Sequence, residues 1–305
     1  MELLYLLEEL RTPWLNTIMS VITELGGETA FLAAALILFW CVNKRQGYYL
    51  IAVGFLGTIT NQFLKLACRI PRPWVRDPEF TIVESARADA SGYSFPSGHS
   101  QTSVGTFGAI AMRNRKKRLR VICIAICVLV PLSRMYLGVH TPADVLVGSG
   151  MALLFLFVLR PIVYGRDGKN IPILFAVMIA LGAAFVAYTE LYPFPSDIDT
   201  ANLESAVKNS YTLMGALLGM AIVYYVDEKK LHFPTDGVWY AQVLKVLGGL
   251  ILVLAIKAGL KLPLEALFGG HIVSRAIRYA LVVLAAGIVW PLTFPWFARL
   301  GRKEG

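Results

Sequence analysis

Three short stretches of this chain carry residue types that do phosphate chemistry when they meet: Lys65 with Arg72-Pro73, then Pro96-Ser97-Gly98-His99, then Ser133-Arg134 with His140-Thr141-Pro142-Ala143-Asp144. Arg72 follows Lys65 by seven residues, two helical turns, which would put both cations on one side and aim them at one anion. Pro71 and Pro73 bracket Arg72 and force extended backbone, fixing a planar guanidinium that can grip phosphate bidentately. Taken alone, the pair reads more readily as a snorkelling lysine and a solvated loop arginine. Ser97 is suited to cap a helix, Gly98 lets a ligand approach the backbone, and the free N–H groups of a first helical turn attract an anion. His99 at that start titrates near neutrality and could hand a proton to a leaving oxygen; the competing reading is a capping turn whose histidine faces headgroups. Pro142 at a first helical position and Thr141-x-x-Asp144 mark another helix start with the look of a capping box. Asp144 can cap only, or it can accept a hydrogen from one ring nitrogen of His140 and leave the other as a nucleophile. A carboxylate at that place can do both.

The elements that must position these residues are membrane helices. A chain of 305 residues that is 56% hydrophobic and 16% charged is too apolar to cover itself as a soluble globule. Repeated apolar runs close to the ~20 residues needed to cross a bilayer favour an all-α, polytopic helical bundle over a barrel. The runs predict roughly nine spans, at about 29–42, 47–68, 97–112, 119–137, 142–159, 171–190, 208–226, 238–260 and 276–297. Ahead of them, Glu8, Glu9, Arg11 and Pro13 interrupt the apolar pattern and no basic stretch opens the chain, so residues 1–27 are expected to be a retained interfacial amphipathic helix. The resulting organisation is that helix, a membrane-embedded core at 28–165 holding all three stretches, and about four additional transmembrane helices at 166–305.

Charge gives the orientation, because cytoplasmic loops carry the Lys and Arg excess. Alternate connections hold Lys44 and Arg45; Arg113, Arg115, Lys116, Lys117, Arg118 and Arg120; Arg160, Arg166 and Lys169; Lys229 and Lys230; Arg299, Arg302 and Lys303, which is 16 of the 29 basic residues. The other side holds the long loop of about 69–95 and an acidic loop at 190–204 without a basic residue. The amino terminus and both long loops are therefore expected outside, and the carboxyl terminus in the cytoplasm. The same argument explains the net charge of +9 and the run at 113–120 as topology signals, with no nucleic acid implied. Cys41, Cys68, Cys123 and Cys127 lie in or beside apolar spans and read as packing residues. Asp197 and Asp199 read as solvated loop acids, and Lys257, Lys261, His271 and Arg275 as interface residues. Tyr188, Tyr192, Trp239, Trp290 and Trp296 sit near span ends as an aromatic belt requires.

On this topology Lys65, Arg72, Ser97, His99, Arg134, His140 and Asp144 fall at one outer membrane level. Three cations, two helix starts and two histidines describe a phosphoryl-transfer site. No Walker glycine loop, His-Glu-x-x-His or carboxylate cluster accompanies them, so cationic side chains would neutralise the phosphate in place of a metal ion.

Lys65-x6-Arg72-Pro73, Pro96-Ser97-Gly98-His99 and Ser133-Arg134-x5-His140-x3-Asp144 resemble, in order and spacing, the three signature motifs of the type 2 phosphatidic acid phosphatase superfamily. The resemblance covers about 29–160, roughly half the chain, and three ordered motifs are far more specific than one. It implies that His140 is a nucleophile forming phosphohistidine, that Asp144 orients it, and that His99 is the general acid. It implies phosphate binding by Lys65, Arg72, Ser97, Gly98 and Arg134, with no metal or other cofactor. The chain departs from the family pattern in length, because the four spans after Arg160 lie outside the motifs. The expected activity is hydrolysis of a membrane lipid phosphate of the phosphatidate, phosphatidylglycerol phosphate, polyprenyl diphosphate or sphingoid phosphate class. The expected partners are that lipid and the bilayer, and the expected setting is a bacterial inner membrane with the site facing outside, or the lumenal leaflet in a eukaryote. A phosphotransferase using the same intermediate, or a lipid transporter or scaffold without chemistry, are the other readings.

Overall fold

In the computed structural model, which describes residues 1–88, 90 and 92–300, every regular element among those residues is helical. In chain order these are α1 (Glu2–Glu9), α2 (Pro13–Glu24), α3 (Glu28–Ile37, continued by a π turn over Leu38–Val42), α4 (Lys44–Cys68), α5 (Pro73–Arg76), α6 (Gly98–Arg113), α7 (Lys117–Tyr136), α8 (Pro142–Tyr164), α9 (Ile171–Leu191), α10 (Thr200–Val226), α11 (Trp239–Gly259), α12 (Lys261–Leu267), α13 (Val273–Leu284) and α14 (Phe294–Arg299). Among the described residues seven stretches are long and apolar enough to cross a membrane: Lys44–Arg76, Lys117–Tyr136, Pro142–Tyr164, Ile171–Leu191, Thr200–Leu231, Trp239–Leu267 and Val273–Arg299. With only helices and this many candidate spans, the chain is an all-α, multi-pass membrane protein.

Two expectations change in detail. The span expected at 97–112 is α6, whose 16 residues rise only about 24 Å and turn Ser100, Gln101, Ser103 and Thr106 inward, so it is a short, polar-faced helix packed inside the protein. The expected single amphipathic helix at 1–27 is two helices, because Pro13 restarts the chain as the first residue of α2. α2 and α3 are bent by 45° and pass the span criterion only as a pair, so among the described residues seven stretches, or eight with that pair, meet the criterion where nine were expected. Arg302 and Lys303 of the charge count lie outside the described residues, as does the side chain of Arg166.

The chain divides into two compact units. The first comprises residues 1–34, 49–161 and 194–204. In it α6 and α7 form a hairpin whose turn is the basic segment after Arg113, so Ser97 and Arg134 stand together at the far end from that charge. The long segment between α4 and α6 is seated on a small apolar cluster of Ala86, Ala90, Tyr136, Leu137 and Val139, flanked by Leu15, Met19, Trp74 and Val83. Arg11 fastens the same region, donating from Nε to the carbonyl of Tyr136 at 3.0 Å and from Nη1 to that of Thr81 at 2.9 Å. Its guanidinium lies against Gly138, which leaves α7 in the left-handed region at φ +82° and has no room for a Cβ.

The second unit comprises residues 35–48, 162–193 and 205–305. Gly215 and Gly219 let α10 press on Ala276 and Ala280 of α13, with a Cβ at Gly215 falling 1.9 Å from the Ala276 carbonyl oxygen. Small residues four apart are how membrane helices pack closely. Two cations are held inside this unit. Lys44 pairs with Asp227 at 2.7 Å and covers the Phe233 ring, and fully buried Lys245 donates to the Asp236 carbonyl at 3.0 Å above Phe294. Of the expected aromatic belt, Trp239 and Trp296 are exposed, whereas Trp290 turns inward and donates to the Lys245 carbonyl at 3.0 Å. All four cysteines are free thiols.

Candidate active site

All eight residues singled out from the sequence lie in the first unit. His140 follows the Gly138 turn and precedes α8, and it is 2% exposed. Its Nδ1 lies 3.4 Å from Asp144 Oδ2, while its Nε2 lies 2.9 Å from Arg72 Nη1. A guanidinium can only donate, so Nε2 must be the unprotonated nitrogen and Nδ1 must carry the hydrogen toward the carboxylate. Neighbouring groups thereby fix one tautomer. Burial first, then the cations Arg72, Arg134 and Lys65, hold the imidazole well below its ordinary pKa, so it is neutral.

Asp144 caps α8 and faces the His140 ring. Its Oδ2 accepts from Thr141 N at 2.8 Å while its own N–H donates to Thr141 Oγ1 at 3.3 Å, the reciprocal pair of a capping box. The same oxygen accepts from Ser94 Oγ at 2.5 Å. Buried Ser94 carried no signal in the sequence beyond its closeness to Ser97.

Ser97 caps α6 through Oγ, which accepts from Ser100 N at 3.4 Å, and its own N–H donates to the Asp144 carbonyl at 3.0 Å. The two helix starts are therefore tied backbone to backbone. A Cβ at Gly148 would meet the Ser97 carbonyl oxygen at 2.5 Å, so only glycine lets α8 approach this closely. At Gly98 a Cβ would meet only Asn61 Oδ1, at 3.8 Å, which leaves the backbone of that turn approachable. His99 follows within the first turn, and Gly26 packs beneath it so tightly that a Cβ there would fall 2.8 Å from the His99 carbonyl oxygen.

The cations arrive by routes other than the one the spacing suggested. α4 ends at Cys68, and Arg69 takes a left-handed φ of +51°, so Lys65 and Arg72 do not share two turns of one helix. Arg72 instead sits in extended backbone ahead of Pro73, as the flanking prolines require, and it is the loop that returns it toward Lys65. Lys65 Nζ donates to the Tyr93 carbonyl; Arg72 donates from Nε to the Gly92 carbonyl and from Nη1 to that of Val139, each at 2.9 Å. Arg134 is fully buried at the end of α7 and donates from Nη1 to Thr23 Oγ1 at 2.9 Å. Thr23 and Gly26 belong to the α2–α3 bend, and sequence reading missed both because neither lies near a motif. The charges of Arg134 and Lys65 also lower the pKa of His140. Among the described residues no three His, Cys, Asp or Glu side chains gather as a metal site.

The model of the PAP2 superfamily matches residues 46–168, and that of the PAP2 superfamily phosphatase transmembrane extension matches residues 211–303. Phosphatidylglycerophosphatase B of Bacillus subtilis is 31% identical over 166 residues, covering 50% of this chain and 76% of the relative. Undecaprenyl-diphosphatase BcrC of Bacillus subtilis is 34% identical over 162 residues, covering 49% and 79%. Sphingosine-1-phosphate phosphatase 1 of Rattus norvegicus is 29% identical over 168 residues, covering 52% of this chain and 38% of that protein. No solved structure matches. These relatives are lipid phosphatases by name, and the segment matched by the PAP2 superfamily model is the one that carries the histidines, the cations and the capping aspartate. The chain belongs to the PAP2 superfamily, as a membrane phosphatase with the transmembrane extension.

Proposed function

We propose that the protein hydrolyses the phosphate of a membrane lipid through a phosphohistidine on His140, without a metal ion, at the extracytoplasmic face of a bacterial inner membrane. The observation that carries this is the fixed tautomer of His140, with Nδ1 toward Asp144 and the lone pair of Nε2 on the side of the cations. Nε2 attacks phosphorus as the bond to the lipid oxygen breaks, and His99 delivers a proton to that oxygen. Water then attacks the phosphorus of phosphohistidine, His99 takes its proton, and the N–P bond breaks to release inorganic phosphate. Lys65, Arg72 and Arg134 supply the positive charge that the phosphoryl oxygens need as the transition state forms. The negative charge of an arriving phosphate favours the protonated form of His99 that the first step requires.

The outward placement is supported by the α6–α7 hairpin, whose basic turn stands at the opposite end from Ser97 and Arg134. Phosphatidylglycerol phosphate and polyprenyl diphosphates are the first substrates to assay, given the Bacillus subtilis relatives.

The test is phosphate release by purified protein in detergent, with a chelator present, over phosphatidate, phosphatidylglycerol phosphate, a polyprenyl diphosphate and a sphingoid phosphate. Turnover of at least one lipid is expected, and His140→Ala should lose about 10⁴-fold or more in kcat while remaining folded. Retained turnover in that variant would sink the mechanism. A rate that depends on an alcohol acceptor, with little free phosphate, would replace hydrolysis by phosphotransfer.

A further inference from the structure

We infer that Asn202, outside both matched family ranges, is a positioning residue that holds the cations of the site in place through one peptide plane. It lies in the first turn of α10, in the first unit with the site. Asn202 Oδ1 accepts from Tyr93 N at 3.0 Å. The carbonyl of that same peptide, belonging to Gly92, accepts from Arg72 Nε at 2.9 Å. A peptide group is rigid and planar, so its N–H and C=O cannot turn independently. Asn202 on one edge and Arg72 on the other therefore lock each other, and each hydrogen bond polarises the next. The following carbonyl, of Tyr93, receives Lys65 Nζ, and the next residue, Ser94, holds Asp144. Three consecutive residues thus support two cations and the orienting carboxylate.

The amide is itself held. Asn202 N–H donates to Asp199 Oδ1 at 2.9 Å, and Asp199 N–H donates to the Tyr93 hydroxyl at 3.2 Å, so Asp199 is a capping residue rather than a merely solvated acid. Contact with the plane is direct: Gly92 has φ +77°, and a Cβ there would fall 1.9 Å from Asn202 Oδ1. Only glycine admits the amide at this distance. Without Asn202 the peptide can rotate, taking the Gly92 carbonyl from Arg72 and shifting both cations against an incoming phosphate.

This inference rests on the proposed phosphate site, so its test does not depend on turnover alone. Inorganic phosphate and vanadate affinity are measured by thermal shift on the full chain in detergent, beside KM and kcat for the best lipid. Asn202→Leu, near in volume but without an acceptor, should weaken both anions and raise KM about tenfold, with kcat changed less. Asn202→Asp keeps the acceptor oxygen and should restore anion affinity to within about threefold of the parent. If the leucine variant is not recovered folded, Asn202→Ser, too short to reach Tyr93, carries the same expectation. Unchanged phosphate affinity in the leucine or serine variant overturns the inference even if the enzyme is active. So does equal loss in the leucine and aspartate variants with only the melting temperature lowered, which would mark a structural role. A parent that binds phosphate but releases none from any lipid would fail the proposed function and leave the positioning inference to stand on affinity.

Discussion

The two histidines stand at two helix starts, yet the chain holds them by opposite means. His140 precedes α8 and is held by polar side chains: Asp144 on Nδ1, Arg72 on Nε2, with Ser94 and Thr141 fixing the aspartate in turn. His99 lies inside the first turn of α6 and is placed by packing, between the Ser97 cap and the Gly26 backbone. A nucleophile must present one lone pair along one line, which calls for a defined tautomer and a stiff shell. A proton donor must follow an oxygen as it departs, which calls for a fixed base of support and a ring with some freedom. The contrast fits the two proposed roles, and it can be broken at several points.

The largest effect should come from Asp144→Asn, which keeps the shape but lets the imidazole present the wrong tautomer. A loss of about 10³-fold in the rate of His140 phosphorylation is expected in single turnover, and a loss under tenfold would mean the carboxylate only caps. His99→Ala should cost about 10²-fold on an alkyl phosphate but far less on p-nitrophenyl phosphate, whose leaving group needs no proton. Equal losses on the two substrates would remove His99 from the donor role. Gly26→Ala should lower kcat about tenfold, because the added methyl displaces His99 from below, while leaving phosphate affinity near the parent value. The smallest effect is in the pH profile. Since burial and the nearby cations lower the pKa of His140 in the free protein, the acid limb of kcat/KM belonging to the nucleophile should lie below pH 6.5, and Lys65→Met should move it upward. A limb that stays in place would show that Lys65 does not act on the ring.

Much of this arrangement was legible in the sequence where function and local geometry use the same residue. Thr141 and Asp144 announce a capping box, and the box puts the carboxylate within reach of His140. Ser97 announces a cap, and prolines around Arg72 announce extended chain. The spacing of Lys65 and Arg72 misled, because a helical count does not survive the left-handed Arg69. Thr23, Gly26 and Asn202 were not legible at all, since each meets the site's residues across more than 70 residues through a hydroxyl, a missing side chain or a side-chain amide oxygen. Such contacts need no particular neighbour in sequence and leave no pattern. The span count differs for a related reason: α6 is short and lined with small and polar residues on its inward face, so it falls below the length and hydropathy of a lipid-facing crossing.

The hydrogen bond from Arg72 to His140 Nε2 has a consequence for selectivity in time as well as in space. The lone pair that would attack phosphorus is the one the guanidinium engages. A phosphate oxygen is the stronger partner for a guanidinium, so an anion that draws Arg72 toward itself uncovers the nucleophile in the same movement. Neutral lipids and water offer no such exchange. On the proposed mechanism the acyl esters of surrounding lipids would meet a sheathed imidazole, and the side chain that grips the phosphate would also be the one that releases Nε2 to it.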